Sequence, residues 1–243
     1  VMYKPLDLAF STKLNKYEEL GLVNDYWNFV LAGLEQISTY FELVNRFKET
    51  RNPFLSQEIA YELLTLYYIN KDKYKGIAKD FLFNQVKIYR GLNDDLSRIA
   101  YSWLMTSLAT VDEEFALGLS NLFQYYDNLD GNIRSAVAIA YAVSTSDFPG
   151  LLEKYKVLSS DEDRSRIIRA MASIRDKSVV EKMIQLVFNR IIKFQDAYLV
   201  VQSLAQNPFV REELCNLLEA NFETVKQFVT MVTGGPWGLS YIV

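Results

Sequence analysis

The side chains of this chain that could take part in catalysis are carboxylates, because its 243 residues include no histidine and one cysteine, Cys215. The lack of histidine excludes Ser-His and Cys-His nucleophile pairs and removes the commonest metal ligand. Closely spaced carboxylates occur at Asp94–Asp95, Glu113–Glu114, Asp161–Asp163 and Glu212–Glu213. Each pair lies at a predicted helix start, where negative charge stabilises the positive end of the helix dipole. We interpret these acids as helix-start residues rather than acid–base catalysts, and we expect the chain alone to have no peptidase activity.

Four arginines that lie close together in the sequence are candidates for binding a carboxylate. They are Arg164, Arg166, Arg169 and Arg175. A planar guanidinium group can hold a peptide carboxylate through two parallel hydrogen bonds. The simpler alternative is that these arginines form ion pairs on a solvated face, since four acids lie among them. The acids are Asp161, Glu162, Asp163 and Asp176.

Composition excludes several classes of partner. Lys plus Arg number 26 and Asp plus Glu number 30, which gives a net charge of −4, and a phosphate backbone is held by excess positive charge. The sequence contains no unbroken apolar run of about eighteen residues, and its first ten residues lack the pattern of a signal peptide. A single cysteine fits a reducing compartment. We therefore expect a cytoplasmic protein with no nucleic-acid partner and no membrane span.

The elements that position these side chains are predicted to be helices. Glycine and proline number only 10 and 5, and the apolar spacing is mostly helical from residue 24 onward. Capping residues divide the chain into about fourteen helices, so the predicted fold is all-α. The capping positions are Asn52–Pro53, Asp72, Asn93, Asp112, Asp130, Ser146, Ser160, Asp176 and Asn207–Pro208. The residues predicted to be mostly buried are Trp27, Trp103, Ile133, Val137, Ile168 and Leu204.

Short connections between helices predict antiparallel pairs. Alternate helices begin near Asn93, Asp130, Ser160 and Phe194, an uneven version of the repeat that builds α-solenoids. The segment from Gly21 to Leu34 is apolar on nearly every side, so it must be covered on more than one side, as stacked pairs would do. A plain helical bundle is the alternative arrangement.

Five segments, taken in order, resemble the C-terminal helical domain of the M1 zinc aminopeptidases, and the tricorn-associated enzymes in particular. They cover most of residues 20 to 230 and read GLVNDYWNFVLAGL, YFELVNRFKETRNPF, GNIRSAVAIAYAVSTSDFPGLLEKYK, DEDRSRIIRAMASIRDKSVVEKMIQLVF and KFQDAYLVVQSLAQNPFVREELCNLLEANFETV. The resemblance implies an α-solenoid of antiparallel HEAT-like helix pairs curled into a bowl. It also implies that residues 1–10 are a remnant of a preceding domain and that residues 11–243 are a helical-repeat domain truncated at its C-terminus.

The resemblance implies a non-catalytic domain that caps the active-site chamber of an aminopeptidase and helps to admit and bind peptides. The parent enzyme would remove N-terminal residues with zinc in its catalytic domain, whose His-Glu-x-x-His and Gly-x-Met-Glu-Asn motifs are absent here. The expected partners are that catalytic domain, the peptide substrate and, through the apolar ends of the chain, a second copy. A free-standing helical-repeat scaffold that binds another protein is the alternative, and an enzyme using carboxylates alone is a third.

Two tyrosines, Tyr67 and Tyr68, align roughly with the place where some family members bind the far end of a peptide. A basic residue found there in those members is replaced here, and the alternative is that both tyrosines are core or wall residues. The candidate peptide contacts are therefore Tyr67, Tyr68, Arg166 and Arg169, and no catalytic, cofactor-binding or metal-binding residue is predicted.

Overall fold

A computed structural model describes residues 14–223 and residue 226, and every regular element in that part of the chain is helical. The α-helices are α1 (Lys16–Leu31), α2 (Ile37–Arg46), α3 (Pro53–Ile69), α4 (Lys71–Tyr89), α5 (Asp95–Val111), α6 (Glu113–Ser120), α7 (Gly131–Thr145), α8 (Phe148–Val157), α9 (Asp161–Ala172), α10 (Ser178–Phe188), α11 (Ala197–Ala205) and α12 (Arg211–Ala220). Two 3-10 helices span Asn121–Asn128 and Phe194–Asp196. The all-α prediction is confirmed for these residues, whereas the predicted remnant at residues 1–10 and the apolar C-terminal tail lie outside them.

Several predicted capping residues begin helices as expected. The side chains of Asp112, Asp130 and Ser160 accept hydrogen bonds from backbone N–H groups in the first turns of α6, α7 and α9. These bonds satisfy donors that have no partner within the helix. The acid pairs of the sequence also lie at the helix starts, as predicted.

Other predicted starts were displaced by one or two residues. Asn70, rather than Asp72, caps α4, and Asp94, rather than Asn93, caps α5. Ser146 does not begin a helix: it ends α7 in the left-handed conformation, and its neighbour Asp147 caps α8. In each case two residues one or two positions apart had suitable side chains, and the backbone conformation decided between them.

The helices pack in two layers. Each odd-numbered helix contacts the next odd-numbered helix, from α1 through α3, α5, α7 and α9 to α11, and the even-numbered helices pack against this row. This alternation is the contact pattern of stacked antiparallel helix pairs and agrees with the predicted solenoid. Within the described residues no helix combines the length and apolar character needed to cross a bilayer.

The buried side chains form two clusters. The first core runs from Val23 to Val111 and includes Ala136, and the second core runs from Ala109 to Leu214. Phe115 and Leu119 pack against both cores. The molecule therefore has two packed units that meet along α5, α6 and α7.

Most of the predicted core residues are buried, with one clear exception. Trp27, Val137, Ile168 and Leu204 are buried as predicted, and Ile133 is only partly buried, at the edge of the first core. Trp103 was predicted to be buried but is 36% exposed. The buried face of α5 carries Ala100, Leu104 and Leu108, so Trp103 lies beside that face. The centroids of the Trp103 and Tyr61 rings are 6.4 Å apart.

The segment from Gly21 to Leu34 is less enclosed than its composition predicted. Val23, Tyr26 and Trp27 are buried, but Leu31 is 62% exposed and Leu34 is 64% exposed. Gly33 has a φ of 69°, which glycine adopts without strain, and the chain turns there after α1 ends. The expectation that this helix is covered on more than one side was wrong for the segment's C-terminal end.

A buried carboxyl group joins α2 to α3. The Tyr40 hydroxyl donates a hydrogen bond to Oε2 of Glu62, and both residues have no exposed surface. Oε1 of Glu62 has no hydrogen-bond partner among the described residues. Burial raises the pKa of Glu62 to about 8, although the hydrogen bond from Tyr40 acts in the opposite direction. The carboxyl group is therefore mostly protonated at neutral pH.

Candidate functional site

A cavity of about 220 Å³ lies among the C-terminal halves of α3, α5, α7, α9 and α11. Because neighbouring helices are antiparallel, these odd-numbered helices run in the same direction and bring their carbonyl ends together. Leu64 lines the cavity from the first core, Trp103 lines it from α5, and Ile139 and Val143 line it from α7. No aspartate or glutamate is present among the described residues that line it. The cavity therefore offers apolar walls and no anionic group.

Helix ends beside the cavity are capped by side chains from later in the chain. Nη2 of Arg175 donates to the carbonyl of Thr110 at 3.2 Å. Nδ2 of Asn207 donates to the carbonyls of Ala172 and Ile174, each at 2.8 Å. The last carbonyls of a helix have no partner within it, so these bonds fix the walls of the cavity. The sequence pattern indicated only a helix start at Asn207.

Tyr67 and Tyr68 both line the cavity from the end of α3. Their ring centroids are 5.9 Å apart, and Tyr67 is 1% exposed whereas Tyr68 is partly buried. Burial raises the pKa of Tyr68 to about 12. Burial also raises the pKa of Tyr67, although the charge of Arg175 acts in the opposite direction. Both hydroxyl groups therefore remain protonated at neutral pH and can donate hydrogen bonds.

Arg169 is the candidate cation that faces the cavity. It lies on α9 among the lining residues, is exposed, and has no ion pair within the described part of the chain. Its neighbour Arg164 pairs with Asp161 at 3.4 Å, as the ion-pair alternative predicted. The guanidinium group of Arg169 is thus available to an anion that enters the cavity.

Arg166 lies elsewhere, in a partly buried charge network. Its guanidinium group pairs with Glu162 and, at 2.6 Å, with Asp163, and it is not among the residues lining the cavity. Arg134 also pairs with Asp163, at 2.7 Å, and the Tyr126 hydroxyl donates to the same carboxylate at 3.2 Å. The structure therefore brings together Tyr67, Tyr68 and Arg169 but not Arg166.

The partner of Arg175 was not predicted correctly. It pairs with Glu113, 62 residues away in the sequence, rather than with the adjacent Asp176. Lys75 binds the same carboxylate at 2.6 Å. Burial would raise the pKa of Glu113, but the hydrogen bonds from Lys75 and Arg175 outweigh this effect and lower it to about 2. The Arg175 guanidinium group also lies 4.4 Å from the ring centroid of Phe209, which lines the cavity.

The residues present do not fit the zinc site of an aminopeptidase. The chain has no histidine, and the described residues contain no group of three or more acidic or thiol side chains that could hold a metal ion. Zinc of a parent enzyme would need ligands from outside the part of the chain that the structure describes. The chemistry that this site offers is binding: one unpaired guanidinium group, two hydroxyl donors and apolar walls.

Comparison with known proteins identifies relatives along the whole chain. A family model described as the ERAP1-like C-terminal domain matches residues 4–243. Over its full length the chain is 65% identical to the Probable aminopeptidase 1 of Sulfurisphaera tokodaii, and the match covers 31% of that protein. It is 35% identical, over 93% of its length, to 29% of the Leucyl aminopeptidase of Saccharolobus solfataricus. It is 30% identical, over 87% of its length, to 28% of the Tricorn protease-interacting factor F2 of Thermoplasma volcanium. The chain thus spans about a third of the length of these relatives.

Proposed function

Because this chain belongs to the ERAP1-like C-terminal domain family, we propose that it is the C-terminal helical domain of an M1-type zinc aminopeptidase. In this proposal the catalytic centre lies in another part of the same cytoplasmic polypeptide. The helical domain bounds the chamber in front of that centre, admits peptides and excludes folded proteins. Its contribution is the shape of the chamber and the binding of the peptide, since the residues that the structure describes include no cluster of side chains that could hold a metal ion.

The observation that carries the proposal is the set of hydrogen-bond donors in the cavity. Arg169 has no ion pair, and the hydroxyl groups of Tyr67 and Tyr68 have no hydrogen-bond partner within the described residues. A peptide has one carboxylate that every sequence shares, at its C-terminus. We assign this group to the cavity, where Arg169 would bind it through two parallel hydrogen bonds and the tyrosines would add neutral donors. We leave Arg166 in its ion pairs with Glu162 and Asp163.

The test uses the longer polypeptide that contains this chain. We expect its upstream reading frame to encode His-Glu-x-x-His, and we expect the purified protein to contain zinc and to release N-terminal residues from peptides. The substitution Arg169→Gln should raise KM about tenfold for a peptide with a free C-terminal carboxylate, because one charged hydrogen-bond pair is lost. The kcat should not change, and the same peptide with a C-terminal amide should be unaffected.

The matched control is Arg164→Gln, which removes an arginine of the same helix that pairs with Asp161 outside the cavity. It should leave both KM values unchanged. Equal effects of Arg169→Gln on the acid and the amide would contradict carboxylate binding. A longer polypeptide without the zinc motif and without peptidase activity would contradict the aminopeptidase assignment and favour the protein-binding scaffold.

A further inference from the structure

The cavity is bordered by the two hydrophobic cores, which meet along α5, α6 and α7. Tyr68 packs against the first core, whereas Ile139 and Phe209 pack with the second core. The two cores share side-chain packing at Phe115 and Leu119, on α6. A change in the angle between the cores would therefore widen or narrow the cavity.

Near Tyr68 and Phe209, the two cores are joined through side-chain contacts rather than through packed helices. The extensive helix contacts of α3 and α4 are with α1, α5 and each other, and not with α11 or α12. Arg211, at the start of α12, donates hydrogen bonds to the carbonyl of Tyr68 and, at 3.1 Å, to that of Ile69. Lys71 lies 5.4 Å from the ring centroid of Phe209.

Arg211 is well placed to hold this side together. It is anchored to the second core by its neighbours Val210 and Leu214, which are both buried there. Its charge lies at the C-terminal end of α3, where the helix dipole is negative and the carbonyl groups have no partner within the helix. Arg211 is only partly buried, so water can replace the carbonyl groups when the bonds open.

We propose that Arg211 is a clasp: its hydrogen bonds to the end of α3 hold the two cores closed over the cavity. When these bonds break, the solenoid flexes about the packing of α5, α6 and α7, and the cavity opens. A ligand in the cavity contacts both cores and so binds the closed form better than the open form. Occupancy of the cavity and closure of the clasp therefore favour each other. Any ligand that contacts both cores would favour closure in this way, whatever its chemical identity.

The test measures a distance across the clasp in the chain itself. The single cysteine, Cys215, is exposed on α12 and provides one site for a spin label. The substitution Lys73→Cys provides the second, because Lys73 is exposed in the first turn of α4. Double electron–electron resonance then gives the distribution of distances between the two labels. We expect one narrow distribution when Arg211 is present.

With Arg211→Gln we expect a second, longer distance between the labels. The ratio of open to closed molecules should rise about tenfold, because this is the effect expected from the loss of one charge-assisted hydrogen-bond contact. The control is Arg90→Gln, which removes an exposed arginine at the far end of α4 and should leave the distribution unchanged. Distributions that superpose with and without Arg211 would overturn the proposal. If Arg211→Gln fails to fold by circular dichroism, Arg211→Lys is measured instead, because it keeps the charge but loses the second donor. In that variant a longer distance supports the clasp, and an unchanged distribution overturns it.

Discussion

The buried carboxyl group of Glu62 predicts that this chain loses stability as the pH rises. Glu62 and Tyr40 have no exposed surface, and one carboxyl oxygen has no hydrogen-bond partner among the described residues. Glu58, one turn earlier on α3, adds negative charge nearby. The folded chain therefore favours protonated Glu62, whereas the unfolded chain releases that proton near the ordinary pKa of 4.5.

The sign and the size of the effect follow from this difference. Between pH 4.5 and about 8 the folded state binds more protons than the unfolded state, so the free energy of unfolding falls as the pH rises. A shift of one pKa unit corresponds to about 1.4 kcal/mol. The rise in the pKa of Glu62 from 4.5 to about 8 therefore limits the loss in the free energy of unfolding to about 5 kcal/mol. Most of the loss, about 3–4 kcal/mol, is expected between pH 5 and pH 8.

The assay is urea unfolding at several pH values for the unmodified chain and for Glu62→Gln. Glutamine keeps an acceptor for the Tyr40 hydroxyl group but cannot ionise. We expect Glu62→Gln to be more stable than the unmodified chain at pH 8 by about 3–4 kcal/mol and to remove most of the decline. Glu58→Gln is the comparison variant, because it removes a partly exposed carboxylate of the same helix whose charge contributes only a smaller part of the pKa rise of Glu62; it should therefore reduce the decline much less than Glu62→Gln. If the unmodified chain and Glu62→Gln lose stability in parallel above pH 5, the reasoning about burial is wrong.

Three further predictions concern stability and use denaturant unfolding at pH 7. Asp163→Asn should lower the free energy of unfolding by about 3 kcal/mol, because Asp163 is buried between Arg134 and Arg166 and Arg134 would lose its carboxylate partner. Asp161→Asn, at exposed ion pairs, should change it by less than about 1 kcal/mol. Equal losses would contradict the difference in burial. Trp27→Ala should lower the free energy of unfolding by about 3–5 kcal/mol because this side chain is in the core. Trp103→Ala, at the cavity wall, should lower it clearly less, and the reverse order would contradict the positions of the two side chains. Asn207→Asp should cost about 2 kcal/mol because the carbonyl groups of Ala172 and Ile174 lose their donor. An unchanged stability would show that water replaces it.

Local features of the fold were predictable from the sequence because their causes are local. Ser160 and the acids that follow it determine a helix start through bonds that span three residues. Trp103 was misplaced because the periodicity of α5 identifies an apolar face but does not show where a neighbouring helix ends and a cavity begins. The exposed apolar residues of that cavity resemble core residues in the sequence.

The candidate site was only partly predictable because its contacts join distant parts of the chain. Tyr67, Tyr68 and Arg169 were proposed for separate reasons, and the pattern did not place them together. Arg175 has an acid next to it in the sequence, yet it pairs with Glu113, 62 residues away. Short-range pairing rules could not find that contact, because it depends on how successive helix pairs stack.

The bonds from Arg211 to the main chain have a consequence for how related sequences can diverge. A carbonyl group is present whatever side chain a residue carries, so positions 68 and 69 can change without weakening these bonds. Statistical methods that find contacts from correlated substitutions depend on two side chains that constrain each other. Here only one side chain is constrained, so such methods would not detect the contact even in a large set of relatives. The contact would instead show itself as an arginine that is retained at position 211 while the residues at positions 68 and 69 vary among relatives.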